Sequence, residues 1–150
     1  MPSRAAKAEE RLHRQAAALP YRLRGSRLEV ALVTSSQGTR WVVPKGNLER
    51  GEAAWACAQR EAFEEAGLLG RVERHPIGRY GYTKRGLKRE VDVYLLHVTE
   101  QLDTWVEVGL RRRKWLAAEA AIERVREPGL RVLLVQALGH LGRASRRRTA

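Results

Sequence analysis

The chain has 150 residues, 43% of them hydrophobic and 31% charged, with a formal net charge of +12 and one cysteine. This length and balance are typical of one soluble globular domain, and no apolar run approaches the roughly 18 residues of a membrane helix. One cysteine excludes an internal disulfide and a cysteine-based zinc site, and the first residues lack the apolar stretch of a secretory signal. We therefore expect a cytoplasmic protein with no membrane partner.

The predicted elements alternate between strands and helices, and the sequence contains no internal repeat. Residues 1–14 are polar and are predicted to form an N-terminal arm, either a short helix or a frayed segment. The first predicted strand covers residues 28–33, which are mostly apolar. A hairpin loop leads to a short strand over residues 41–43, which Pro44 ends. Lys45-Gly46-Asn47 is then predicted to be a loop.

C-terminal to a helix predicted over residues 53–66, the second half of the chain is predicted to contain one clear strand and two helices. The strand covers residues 91–98, where apolar and aromatic side chains are concentrated. Trp115-Leu116 is predicted to be another short strand. The two helices are predicted over residues 117–125 and 130–141. Residues 143–150 are predicted to be a disordered basic tail.

A helix predicted over residues 53–66, which Gly67 terminates, carries three glutamates on one face. At about 100° per residue, Glu61, Glu64 and Glu65 fall within a single sector. The residues predicted to face the core lie opposite: Trp55, Ala62, Phe63 and Ala66. Like charges one turn apart repel each other, and carboxylate oxygens are the ligands that Mg²⁺ and Mn²⁺ prefer. The spacing alone leaves two alternatives open, an acidic surface helix and a cation site.

The positive charge is concentrated in four segments. Residues 1–14 carry a net +2, residues 79–90, 111–114 and 143–148 carry +4 each, and the rest of the chain totals −2. Patches of this kind attract polyanions: nucleic acid, an anionic membrane surface or a phosphate-rich small molecule. Composition alone does not choose among the three.

The glutamate helix belongs to a longer pattern. Gly46, five residues, Glu52, seven residues and then Arg60-Glu61-Ala62-Phe63-Glu64-Glu65-Ala66-Gly67-Leu68 resemble the Nudix box over its full length. The resemblance implies an α/β fold, a Nudix-type α/β/α sandwich with a mixed central sheet. It also implies a single domain, which we place over residues 15–142, between the N-terminal arm and the basic tail.

The resemblance further implies a hydrolase of phosphoanhydride bonds that depends on a divalent metal ion, Mg²⁺ or Mn²⁺. The implied metal ligands are the Gly46 carbonyl and the carboxylates of Glu61, Glu64 and Glu65. The same glutamates and Arg60 are the implied catalytic residues, with one glutamate as the general base and Arg60 orienting its neighbours. Glu52 is expected in the first helical turn. A further acid from outside the box is expected among Glu90, Asp92 and Glu107.

Flanking segments within residues 16–126, including Arg40–Gly46 and the stretch from Val91 to Trp115, resemble the diphosphoinositol polyphosphate and diadenosine polyphosphate hydrolase branch. This likeness implies a phosphate-rich small-molecule substrate. The candidate substrate-binding residues are Arg14, Ser36, Arg40, Lys45, Lys88, Arg89 and Arg113. Tyr80 and Tyr82, predicted to lie on a basic loop, are candidates for contact with a nucleotide. Two alternatives remain open: a pyrophosphohydrolase of RNA 5′ ends, and a module that binds phosphate ligands or RNA without turnover.

Overall fold

The computed structural model describes Ser3, Arg4 and residues 14–149, with side chains up to residue 144. Within this part of the chain, eight strands form one sheet: β1 Arg14–Arg24, β2 Arg27–Thr34, β3 Trp41–Val42, β4 Lys45–Asn47, β5 Leu68–Val72, β6 Gly78–Lys84, β7 Leu87–Gln101 and β8 Arg113–Ala117. The helices are α1 Ala54–Ala66, α2 Ala118–Arg124 and α3 Pro128–Thr149. None of these helices in the described part of the chain is long and apolar enough to cross a membrane.

The sheet is mixed, as predicted. Its main strand order is β3-β2-β1-β7-β5, with β4 paired to β1, β6 to β7 and β8 to β2. The long central strands β1 and β7 run parallel, whereas every other described pairing is antiparallel. A parallel pair in the centre requires both faces of the sheet to be covered.

Helices cover both faces because side chains alternate along the central strands. On one face, Ala17 and Leu19 of β1 belong to a core with residues of α2 and α3, such as Ala121 and Leu134. On the other face, Ala16 and Ala18 pack with the small side chains of α1. The structure thus confirms the predicted single-domain α/β/α sandwich.

The central strand β1 was absent from the sequence prediction, which assigned Arg14 to the arm and no element to residues 15–24. Alanine and proline are both depleted in strands, and β1 contains Ala16-Ala17-Ala18-Leu19-Pro20. Pro20 is tolerated because it lies where β1 changes neighbours: β4 pairs with residues 15–17, and β2 pairs from Tyr21 onwards. Tertiary packing, with all three alanines fully buried, determines this strand.

Four further boundaries differ from the sequence prediction. Residues 45–47 form β4 and residues 78–84 form β6, where loops were predicted, and β5 was not predicted at all. Helix α3 continues to Thr149, although the helix was predicted to end at Leu141 and residues 143–150 to form a disordered tail. Arginine and alanine favour helix, so the helical backbone extends past the last apolar residue. Of the predicted N-terminal arm, residues 1, 2 and 5–13 lie outside the described residues.

Gly67 ends α1 as predicted, in a left-handed conformation with φ 64°. We expect Gly67→Ala to destabilise the fold by roughly 2–4 kcal/mol, because a Cβ would be strained at this φ and would lie 2.9 Å from the Trp105 side chain. Gly25→Ala is the matched control, since Gly25 has the same φ with open space around it. Urea unfolding of both variants separates the two contributions. Equal losses would show that the Trp105 contact adds nothing.

Candidate active site

Helix α1 turns its acidic face towards the sheet. Glu61 is 8% exposed and Glu65 is 4% exposed, whereas Phe63, predicted to face the core, is 38% exposed. The side chains beside the two buried glutamates are small and fully buried: Cys57, Ala58 and Ala62. These small residues let the helix backbone approach the sheet. The prediction for Phe63 is therefore wrong, because the helix buries carboxylates where an amphipathic helix would bury large apolar side chains.

Strand β4 meets the buried glutamates. The backbone N–H of Lys45 donates a hydrogen bond to Oε2 of Glu65 at 3.3 Å. A Cβ on Gly46 would overlap the Glu61 carboxylate, so only glycine leaves room for that side chain. Pairing of Gly46 with Ala16 of β1 fixes the position of this segment. The Gly46 backbone and the Glu61 carboxylate are thus neighbours, as the metal-site prediction requires.

Arg60 connects the acids around the start and middle of α1. Its guanidinium donates two hydrogen bonds to Glu52, at 2.8 and 2.9 Å, one to Glu61 at 2.9 Å and one to Glu64 at 3.3 Å. This pairing lowers the pKa of Glu52 to about 2. Glu52 precedes the helix rather than lying in its first turn, because α1 begins at Ala54. These hydrogen bonds hold the carboxylates of Glu52, Glu61 and Glu64 in position around Arg60.

A second guanidinium, that of Arg111, lies against Glu65. Arg111 is 3.3 Å from Oε1 of Glu65 and 3.0 Å from Oε1 of Glu107, and it donates to the Thr34 carbonyl at 2.9 Å. The N–H of Glu107 also donates to the Glu64 carbonyl at 3.0 Å. The loop before β8 is therefore attached to the acidic end of α1 through both backbone and side chains.

The two buried carboxyls act on each other. Burial raises the pKa of Glu61, and it raises the pKa of Glu65 to about 8, with the Glu61 charge adding to the effect. Two desolvated carboxyls that repel each other as anions form a place where a cation is favoured.

The chemistry of this donor set fits Mg²⁺ or Mn²⁺. Its groups are oxygen donors only, namely the Gly46 carbonyl and the carboxylates of Glu61, Glu64 and Glu65, and hard divalent cations prefer oxygen. Within the described residues, no three acid, histidine or cysteine side chains already converge on a point that could hold a metal ion. Arg60 faces Glu61 and Glu64, and Arg111 faces Glu65. Binding of a cation would require these carboxylates to reorient.

A cavity of about 560 Å³ opens beside Glu65. Three of the predicted substrate-binding residues, Ser36, Arg40 and Lys45, line it. Burial lowers the pKa of Lys45, whose Nζ lies 5.4 Å from the centre of the Tyr82 ring. The remaining lining residues are Gln15, Ser35, Val42, Val43, Glu65, Tyr82, Thr83, Lys84, Arg111, Arg126, Glu127 and Pro128. An acidic helix face thus adjoins a cavity rich in cations.

Comparison with known proteins agrees with this geometry. A sequence profile described as the NUDIX domain matches residues 11–136. The chain belongs to the Nudix family. The mitochondrial Nudix hydrolase 16 of Arabidopsis thaliana is 35% identical over 120 residues, which cover 75% of this chain and 66% of that protein. Diphosphoinositol polyphosphate phosphohydrolase 3-beta of Bos taurus is 41% identical over 99 residues, covering 63% of this chain and 58% of that protein.

Among solved structures, a C. elegans Ap4A hydrolase binary complex matches with a TM-score of 0.74 and 25% sequence identity. The match covers 85% of this chain and 96% of that chain. Against the two curated relatives named above, the matched stretch spans 66% and 58% of their length, in both cases less than two thirds. The sandwich and the box described here are therefore those of a Nudix domain.

Four of the seven predicted substrate-binding residues lie outside the cavity of this Nudix domain. Arg14 is 3.4 Å from Asp92. Arg113 donates to the carbonyls of Ala66 and Leu102 at 2.7 and 2.9 Å, so its guanidinium serves the end of α1. The other two are Lys88 and Arg89 of β7. Arg89 stands opposite Tyr82 in the strand pairing, and within the described residues its buried Nε has no hydrogen-bond partner.

Of the three acids predicted as additional ligands, Glu107 is the one next to the box. Glu107 contacts Arg111 and the Glu64 backbone and so lies near Glu65. The charge of Glu107 helps to raise the pKa of Glu65. Glu90 and Asp92 instead pair with Arg79 on strand β6. Strand pairing, which the sequence prediction lacked for this segment, explains that placement.

Sequence reasoning missed several residues of the cavity. Arg111 belonged to a run of four basic residues with no feature that separated it from its neighbours. Gln15 lay in the strand that was not predicted. Tyr82 was predicted as a candidate for contact with a nucleotide but was placed on a loop; it belongs to β6, and its hydroxyl donates to Gln15 at 2.6 Å. Arg126 and Glu127 lie in the short connection between α2 and α3, and no local pattern marks either one.

Proposed function

We propose that this protein is a divalent-metal-dependent pyrophosphohydrolase that cleaves phosphoanhydride bonds in polyphosphorylated small molecules. The observation that carries the proposal is the position of Glu65, a buried carboxylate of the Nudix box that also lines the cation-rich cavity. Acids and cations side by side suit a substrate whose phosphates are divided between a metal and basic side chains. Two of the similar proteins are named as hydrolases of diphosphoinositol polyphosphates and of Ap4A, and we propose one of these two substrate classes.

Each group of the site has a proposed part in the reaction. Glu61, Glu64, Glu65 and the Gly46 carbonyl would hold the Mg²⁺ or Mn²⁺, which when bound neutralises phosphate charge and lowers the pKa of a water molecule. Arg40 and Lys45 bind phosphates of the substrate in the cavity. One box glutamate accepts the proton of the attacking water. Arg60 keeps the carboxylates oriented through its hydrogen bonds to Glu61 and Glu64.

The test is a substrate panel in Mg²⁺ with the full chain. It compares kcat/KM for diadenosine tetraphosphate, a diphosphoinositol polyphosphate, ADP-ribose, a nucleoside triphosphate and 5′-triphosphorylated RNA. We expect one of the first two to be hydrolysed most efficiently, and EDTA to abolish turnover. Preference for the RNA would establish the 5′-end alternative, and tight binding with no turnover of any compound would establish the binding module. The cytoplasmic location stays a prediction.

A further inference from the structure

Glu127 is, with Glu65, one of two acidic residues that line the cavity, whose cationic lining residues are Arg40, Lys45, Lys84, Arg111 and Arg126. It lies immediately before α3, and its Oε2 atom is buried without a hydrogen-bond partner among the described residues. The position is fixed by close packing of α3 on β6, since a Cβ on Gly129 would lie 2.8 Å from Cβ of Tyr80. An unpaired buried carboxylate oxygen is costly for a folded protein, so a ligand that donates to it would recover this energy.

The lining of the cavity combines two chemically different kinds of group, cations and hydroxyls on the one hand and Glu127 with its aromatic and amide neighbours on the other. Glu127 lines the same cavity as Lys45 and Tyr82, and its charge raises the pKa of both side chains. Tyr82 presents an aromatic ring there and is anchored by its 2.6 Å hydrogen bond to Gln15. Among the described residues, no ion pair within 4.0 Å joins Glu127 to Lys45.

The cavity also carries Arg40, the serines at 35 and 36, and Arg111 beside Glu65. These groups suit phosphate, because hydroxyls and guanidinium groups donate hydrogen bonds to anions. Glu127, Tyr82 and Gln15 add a carboxylate, an aromatic ring and an amide to the same lining. A carboxylate accepts hydrogen bonds only, so it suits hydroxyl or amino groups and repels a phosphate.

The two proposed substrate classes differ in the groups that they would place beside Glu127. A polyphosphorylated inositol carries phosphates around its whole ring, so one of them would meet Glu127. A nucleoside polyphosphate ends in a sugar and a base, which offer hydroxyl and amino donors and a flat ring but no phosphate. Like charges brought together in a partly desolvated cavity cost several times more than on the surface.

We propose that Glu127 is a specificity-determining residue that accepts a hydrogen bond from the non-phosphate part of the substrate and disfavours a phosphate there. The cavity then takes a nucleoside polyphosphate in preference to a polyphosphorylated inositol. The proposal rests on the proposed function for the reaction itself and deepens it by choosing the substrate class.

The test compares the wild type with Glu127→Gln, which keeps the shape of the side chain but removes its charge. The readout is the ratio of kcat/KM for diadenosine tetraphosphate to that for a diphosphoinositol polyphosphate. We expect wild type to prefer the dinucleotide, and the variant to lose roughly 10- to 100-fold in kcat/KM for it, mainly through KM. Its kcat/KM for the inositol compound should stay the same or rise. Glu123→Gln, at an exposed position of α2, is the matched control and should leave the ratio unchanged.

Thermal unfolding confirms that each variant is folded. If Glu127→Gln changes kcat/KM by the same factor for both substrates, so that their ratio stays that of wild type, the proposal is overturned while the hydrolase assignment stands. If wild type hydrolyses neither compound, the proposed function fails, and calorimetric binding of diadenosine tetraphosphate decides the inference. At least tenfold weaker binding to Glu127→Gln than to wild type then supports it, and equal binding overturns it.

Discussion

Glu65→Gln is expected to lower kcat by roughly 10²- to 10⁴-fold and, in EDTA, to make the fold more stable than wild type. The loss of turnover follows from removal of a charged oxygen where the box meets the cavity. The gain in stability follows from burial, because the Glu65 carboxyl is 4% exposed and has a pKa raised to about 8. A neutral amide removes the cost of ionising this group beside Glu61.

Because the pKa of Glu65 is raised in the folded protein, the stability difference between the variant and wild type depends on pH. A carboxyl whose folded-state pKa is raised stabilises the fold at low pH, and its contribution is lost as pH rises from its ordinary value of 4.5 towards about 8. The free energy of unfolding of Glu65→Gln should therefore increase relative to that of wild type as pH rises, and the difference should reach roughly 2–4 kcal/mol at pH 8. Thermal unfolding in EDTA at pH 5 and pH 8 measures the difference, which we expect to be small at pH 5 and about 5–10 °C at pH 8.

Glu64→Gln is the companion variant. The Glu64 side chain is 36% exposed, against 6% for Glu65, so its replacement should also reduce kcat severely but should leave stability in EDTA nearly unchanged. Glu100→Gln, at an exposed position of β7, should affect neither quantity. Near-wild-type turnover in both box variants would contradict the assignment of these glutamates to the active site.

Arg60→Met is expected to have the largest effect on the fold itself. It leaves Glu52 and Glu61, whose side chains are 14% and 11% exposed, without their guanidinium partner. Loss of one partner from buried ion pairs costs roughly 3–5 kcal/mol. Because Arg60 orients Glu61 and Glu64, kcat should fall as well. Urea unfolding at pH 7 measures the first effect and steady-state kinetics the second.

Two variants control for this result. Arg60→Lys keeps the charge but loses the paired hydrogen bonds to Glu52, so it should recover only part of the stability. The double variant Arg60→Met with Glu52→Gln removes the uncompensated charge of Glu52 and should be more stable than the sum of the single effects. If the changes in free energy of unfolding of the two single variants add up to that of the double variant, the 2.8 Å contact between Arg60 and Glu52 contributes no coupling energy.

Local signals and the family pattern predicted the centre of the site. The spacing of Glu61, Glu64 and Glu65 and the stop at Gly67 depend on residues close together in the chain, and the structure confirms the helix and its left-handed cap. The mixed sandwich followed from resemblance to the Nudix box. The sequence did not predict which side of α1 is buried. Apolar periodicity assigned Phe63 to the core, whereas the helix buries Glu61 and Glu65.

The walls of the cavity depend on distant parts of the chain. Arg111 reaches Glu65 because β8 pairs with β2 and the preceding loop hydrogen-bonds to Thr34. Glu127 reaches the same cavity because α3 packs closely on β6. Strand β1, whose alanines have weak strand propensity, supplies Gln15. None of these contacts leaves a local pattern, so a single sequence could not predict them.

The most direct test of the central claim is Mn²⁺ binding to the full chain, measured by electron paramagnetic resonance without substrate. The claim is that the box glutamates hold the divalent ion. We expect saturable binding to wild type, at least tenfold weaker binding to Glu65→Gln and Glu61→Gln, and unchanged binding to Glu100→Gln. Equal Mn²⁺ affinity in wild type and both box variants would contradict the claim.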